Sequence, residues 1–229
     1  MFKRIFILVL ALSLACAPAF AAGKLTVNQE RMIALDSYGT VDVDVYAEVE
    51  NTGDKPVEFS AGLVELFDAD GNTIDSTDYV YCYPSILAPG EKGYIYVSMY
   101  PDNASVAADI ADYTLTVTGK GSTEASVVMK TVGTYDANVQ DGYWTYNYLT
   151  AEITNETADT IYDLYCVYAL KDADGALLYV YYTTAYAIGV PADGTIFMRT
   201  TLPDSVLAYF DANGLVPATA DAIAYESPY

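Results

Sequence analysis

The sequence predicts an all-β protein: two tandem β-sandwich units behind an N-terminal signal peptide. Three observations predict it. Val41, Val43, Val45, Ala47 and Val49 alternate with Asp42, Asp44, Tyr46, Glu48 and Glu50, the period of two that a half-buried strand requires and a helix would scatter. Similar runs are separated at short intervals by turn residues such as Asp70-Gly71-Asn72 and Pro89-Gly90. The segment that starts at Tyr46, Tyr-Ala-Glu-Val-Glu-Asn-Thr-Gly, recurs from Thr150 as Thr-Ala-Glu-Ile-Thr-Asn-Glu-Thr. The same offset of 104 residues carries Leu66, Asp68, Ala69, Asp70 and Gly71 onto Leu170, Asp172, Ala173, Asp174 and Gly175. Several matches at one spacing mark an internal duplication.

In chain order, residues 1–21 join Lys3 and Arg4 to the apolar run Ile5 to Leu12 and end on Ala19-Phe20-Ala21. This reads as a cleaved secretory signal; the competing readings are an uncleaved anchor and lipoprotein processing at Cys16. No later stretch approaches the ~20 apolar residues of a membrane span. The first unit covers residues 22–120. Val57 to Phe67 runs into the Asp-Gly hairpin, and a second β-rich segment follows through Tyr83. Leu87-Ala88-Pro89-Gly90 turns the chain into a strand from Tyr94 to Met99, residues 101–110 hold a short helical turn, and Tyr113 to Thr118 closes the unit. Gly119 to Thr123 reads as a flexible join, and residues 124–229 repeat the pattern. Six or seven short strands per unit fit an immunoglobulin-like sandwich, with a small barrel as the alternative.

Three motifs carry a family resemblance: Glu48-Val49-Glu50-Asn51-Thr52-Gly53, Asp68-Ala69-Asp70-Gly71-Asn72, and Leu87-Ala88-Pro89-Gly90-Glu91 ahead of an aromatic strand. In this order they resemble the small Ig-like domains of exported bacterial proteins known as FxLYD-type. Residues 40–118 carry the match. Residues 144–224 repeat it less faithfully, with Pro191-Ala192-Asp193-Gly194 instead of Ala88-Pro89-Gly90-Glu91. The resemblance implies a non-catalytic module with an interaction or structural role, and no active-site residue.

Composition narrows the function classes. The chain has no histidine, so Ser-His-Asp and Cys-His nucleophile pairs and imidazole metal sites are excluded. A formal net charge of −21 repels nucleic-acid phosphates and anionic lipid. Asp68, Asp70, Asn72 and Asp75 suggest calcium, but the glycine falls at the fourth position rather than the sixth that an EF-hand needs. In the second copy Ala176 and Tyr179 replace Asn72 and Asp75, so a hairpin turn is expected and no metal or cofactor. Most of the acids sit at outward strand positions or in turns, and none form a pair suited to glycosidase chemistry; no enzyme activity is expected. Cys82 and Cys166 align with Tyr186 and Gly62 across the duplication, which leaves two buried thiols or a bridge between the units.

The 23 tyrosines distinguish the copies. The inward parity of Val45, Ala47 and Val49 transfers to Leu149, Ala151 and Ile153. Trp144, Tyr146 and Tyr148 then face outward, where the first copy has Thr40, Asp42 and Asp44. Tyr179 and Tyr181 replace Asp75 and Thr77, and Tyr162 replaces Glu58. Such rings supply contact area at low entropic cost. They admit three readings: a binding face for a protein or a cell-surface glycan, a contact between the units, or strand propensity alone. The expectation is an exported, non-catalytic binding protein, with Trp144, Tyr146, Tyr148, Tyr162, Tyr179 and Tyr181 as candidate contacts to a protein or cell-surface component. The alternative is a structural accessory subunit of an extracytoplasmic assembly.

Overall fold

The computed structural model describes residues 24–226, so the signal-peptide reading of residues 1–21 lies outside the described residues. Antiparallel strands dominate. The first half runs through β1 (Leu25–Ser37), β2 (Thr40–Asn51), β3 (Val57–Phe67), β4 (Thr73–Thr77), β5 (Tyr81–Tyr83), β6 (Ile86–Leu87), β7 (Lys92–Met99), a 3₁₀ turn (Ala107–Asp109) and β8 (Asp112–Gly121). The second runs through β9 (Val128–Asp141), β10 (Trp144–Thr154), β11 (Leu164–Lys171), β12 (Leu177–Ala185), β13 (Thr195–Thr201), α1 (Asp204–Ala212) and β14 (Thr219–Glu226).

One pairing pattern occurs in both halves. β2 lies between β1 and β7, with β5 beyond, while β3 pairs with β4, β6 and β8. Likewise β10 lies between β9 and β13, and β11 between β12 and β14. β9 reaches both second-half groups, because Met129 and Val128 pair with Ala224 and Tyr225 of β14.

The valine alternation forms the first core. Val41, Val43, Val45, Ala47 and Val49 are buried together with Val64, Leu66 and Ile95. Leu149, Ala151 and Ile153 are equally buried in the second half, in the phase that the duplication predicts. The turn motifs act through hydrogen bonds. Asp68 Oδ1 accepts the N–H groups of Asp70 and Asn72 at 2.9 and 2.8 Å. Asp172 Oδ1 does the same for Asp174 and Ala176. Asn51 is fully buried; its Nδ2 donates to the carbonyls of Lys55 and Leu87, and its Oδ1 accepts the Gly53 N–H. Asn155 repeats this with Asp159, Val190 and Thr157. A buried amide satisfied on both sides fastens the end of one strand to the next turn.

Three sequence expectations change. The segment through Tyr83 is two strands, because the chain crosses from β3's sheet to that of β7 between β4 and β5. Gly119 to Gly121 belong to β8 instead of a loose join: they pair with Phe59, Glu58 and Val57, and a Cβ on Gly119 would fall 2.7 Å from Val57 Cγ2. The place of the short helical turn at 107–109 is taken in the second half by a nine-residue helix, α1. Its Val206 and Phe210, four apart on one face, are buried.

The largest departure concerns the polar phase of β2. Tyr46 and Glu48 are 0% and 1% exposed because the second half lies over them. Ile33, Tyr46 and Tyr94 belong to the same buried cluster as the second-half core. Gln29 Nε2 donates to the Gly175 carbonyl and its Oε1 accepts the Leu177 N–H, while Arg31 Nε donates to the Leu177 carbonyl at 2.6 Å. Lys171 Nζ reaches Glu48 Oε2 and Asp221 Oδ2, each at 2.7 Å, and Lys92 Nζ holds Glu48 Oε1 at 2.8 Å. Burial alone would raise the Glu48 carboxyl; the two ammonium groups overcome it and hold the carboxyl below its ordinary value. Cys82 and Cys166 are free and buried, and burial pushes each thiol up to about 12.

Candidate face on the second half

The outer side of β9, β10 and β13 follows from alternation and register. Because Leu149, Ala151 and Ile153 point to the core, Trp144, Tyr146, Tyr148, Thr150 and Glu152 occupy the other side of β10. Directly opposed residues of an antiparallel pair share a face, so Glu152 stands between Val132 of β9 and Phe197 of β13. One step along, Thr150 lies between Thr134 and Arg199, and then Tyr148 between Asp136 and Thr201. Beyond Tyr148, β9 bulges at Asn138, whose φ is +55° and whose N–H is taken by Asn147 Oδ1. The bulge shifts the pairing so that Val139 faces Tyr146 and Asp141 faces Trp144. Gly142, at φ +62°, occupies the first position of the tight turn into β10, which a type II′ hairpin reserves for glycine.

This face carries apolar surface in the open. Phe197 and Trp144 are each 69% exposed, Val132 is 57% exposed and Tyr143 at the hairpin tip is fully exposed. Tyr148 is buried on the same side. The Arg199 guanidinium lies 4.4 Å from its ring centroid and Tyr146 packs at 5.6 Å, so a cation–π contact props the floor of the face. Thr150 Oγ1 donates to Asp136 Oδ2 at 3.0 Å. Glu152 is exposed.

The six residues singled out from the sequence divide three ways. Trp144, Tyr146 and Tyr148 come together on β10, with Trp144 outermost and Tyr148 beneath Arg199. Tyr179 is buried, edge-on to Tyr46 at 5.2 Å, and Tyr181 lies 6.1 Å from Tyr96; both therefore meet the first half, as the second of the three readings of the tyrosines anticipates. Tyr162 is 53% exposed in the β10–β11 connection, against Gly189, where a Cβ would fall 2.6 Å from its ring. Phe197, Val132 and Arg199 were not anticipated. The signal for Phe197 was present: Ile196 and Met198 set the inward phase of β13, which leaves a phenylalanine on the outer one.

The registers also relate this face to a covered one. In the first half Glu48 stands between Gln29 of β1 and Tyr94 of β7, as Glu152 stands between Val132 and Phe197. The first trio is closed over by the second half and its carboxylate neutralised by Lys171 and Lys92. The second trio is open. Among the described residues no group of three or more potential metal-ligating side chains forms, and no helix is long and apolar enough to cross a membrane. Compared with known proteins, the chain matches no protein-family model and no curated sequence.

Proposed function

We propose that this chain is an exported, non-catalytic binding protein of two tandem immunoglobulin-like units, 22–120 and 124–229, that engages another protein, on a surface or envelope, through the outer face of β9, β10 and β13. One observation carries the reading: the Val132, Glu152 and Phe197 trio is open where its counterpart, Gln29, Glu48 and Tyr94, is a packed interface. An exposed apolar patch rimmed by polar groups is a recognised mark of an interaction site. The covered counterpart supplies the chemistry of the occupant. A partner that closes over this face offers a cation to Glu152 and apolar or aromatic side chains to Phe197, Val132 and Trp144.

A second copy stacked in the same head-to-tail manner fits poorly. At the places that Ala169 and Lys171 hold in the interface, the duplication puts Glu65 and Phe67 on the first unit, so a carboxylate would meet Glu152 and no ammonium would. Like charges brought together in a forming interface disfavour it, and the high negative charge of each chain adds to this. The partner is accordingly a different protein.

The test replaces Phe197 by a photo-crosslinking amino acid in the full chain, with Tyr79, 75% exposed on the first unit, as the control position. Crosslinking of one specific envelope or secreted protein from Phe197, lost with Trp144→Ala and Val132→Thr and absent from Tyr79, is the expected result. Equal labelling from both positions, or none from Phe197, rejects the reading.

A further inference from the structure

A second candidate site lies on the seam between the halves, away from the open face. It is a cleft of about 330 Å³, within the size range of ligand pockets, at a junction of the kind where such pockets concentrate. Tyr81, Cys82, Tyr83 and Ser85 line it from the first half and Tyr165, Tyr182 and Tyr225 from the second. Alternation on β5 places it: Cys82 points into the first core, so Tyr81 and Tyr83 both point out to the seam. The rings form a near-parallel array. Tyr83 stacks on Tyr182 at 4.6 Å and 21°, Tyr165 lies 6.3 Å from each of them at 22° to 26°, and Tyr225 stacks on Tyr165 at 5.6 Å and 19°. Tyr186 meets Tyr165 edge-on with the two hydroxyls 3.2 Å apart, and Tyr81 stands 57% exposed at the rim.

Lining chemistry selects the ligand. The described lining holds no charged side chain, although the chain as a whole carries a net charge of −21. It offers aromatic surface with hydroxyl groups. A sugar presents clusters of hydroxyls that call for carboxylate, amide or guanidinium groups able to bond two at a time, and the lining has none. A polyproline II segment suits it better. Its rings pack against aromatic surface, its backbone makes no internal hydrogen bonds and so offers carbonyls to the hydroxyls of Ser85 and the tyrosines, and it arrives already extended.

We propose that the tyrosine cleft between β5 and the β11, β12 and β14 sheet binds an uncharged, proline-rich peptide in the polyproline II conformation. Tyr81 closes one side of the bound peptide, while the Tyr83, Tyr182 and Tyr165 stack forms the floor. The floor takes its rings from both halves, so the contacts that join the halves also hold it. The site does not depend on the open face of β9, β10 and β13.

The test is titration of the ¹⁵N-labelled full chain with decaproline, followed by amide shifts. An uncharged Gly-Ser peptide of the same length and a hexamer of N-acetylglucosamine serve as comparators. Saturable shifts confined to Tyr81, Cys82, Tyr83, Ser85, Tyr165 and Tyr182 are expected. Removing one aromatic contact with Tyr81→Ala weakens binding about tenfold. Tyr38→Ala, at the exposed β1–β2 hairpin tip, leaves it unchanged. Because Tyr81 is mostly exposed, its replacement leaves the floor in place, and an undisturbed spectrum of the free variant checks this. Absence of shifts at millimolar decaproline overturns the proposal, as do equal shifts with the Gly-Ser peptide. Saturation of the cleft by the saccharide but not by decaproline overturns the ligand class. Phe197 crosslinking is unaffected by any of these outcomes.

Discussion

Lys171→Met tests whether the buried ion pair joins the two halves. The substitution keeps the aliphatic length and removes the ammonium that bridges Glu48 and Asp221. The Lys171 side chain is 10% exposed and that of Glu48 2%, whereas Asp221 is 53% exposed. Only the contact to Glu48 is therefore desolvated enough to count fully, and solvent screens the other. Removing one member of a buried pair costs about 3–5 kcal/mol, mostly through the charge left behind. Lys92 still holds Glu48 Oε1, so the lower end applies, about 3 kcal/mol. For a chain of this size that lowers the melting temperature by about 6–12 °C. Urea unfolding followed by circular dichroism and by the fluorescence of Trp144, the sole tryptophan, measures the loss. A double-mutant cycle with Glu48→Gln isolates the pair, with a coupling of about 2 kcal/mol expected. A cost under about 1 kcal/mol, or no coupling, would refute the claim that this pair holds the halves together.

The same network sets the pH range of stability. The folded Glu48 carboxyl lies below its ordinary 4.5, so its contribution is complete above 4.5 and disappears as pH falls through the lower folded value. Burial alone would lower the Lys171 ammonium, but Asp221 and Glu48 hold it above 10.5, so its contribution is complete below 10.5 and is lost as pH rises through the higher folded value. Glu48→Gln should flatten the acid limb of a stability-against-pH curve. Gly133→Ala places a Cβ 2.6 Å from the Ala220 carbonyl oxygen and 2.7 Å from the Ala222 nitrogen; backbone cannot yield as a side chain can, and a loss of about 1–3 kcal/mol is expected by denaturant melts. Asn51→Ala and Asn155→Ala each strand one buried carbonyl, that of Leu87 or Val190, and should cost about 1–3 kcal/mol apiece by the same measurement. Both thiols, buried and pushed up to about 12, should resist a disulfide reagent in the native chain and react promptly in urea.

Legibility followed the range of the physical cause. The β2 and β10 phases, the aspartate-capped hairpins and the repeated turns were readable because alternation and turn chemistry act within a few residues. The Asn51 and Asn155 motifs were visible as repeats but not as buried clamps, since their partners Leu87 and Val190 lie more than thirty positions away. On the candidate face, parity placed Trp144 and Tyr146 correctly. It could not show that Arg199 covers Tyr148, because that contact comes from the register of β13.

By itself, then, the sequence determined that this is a β protein with a repeated pattern, which phase of each strand meets a core, and where the chain turns. Only the tertiary structure decided which outer faces stay outside. Alternation assigns a residue to one side of a strand, but what lies on that side depends on the packing of a distant sheet. Glu48 and Glu152 occupy equivalent places in equivalent strands. One is buried against Lys171 from the other half of the molecule; the other faces outward between Val132 and Phe197.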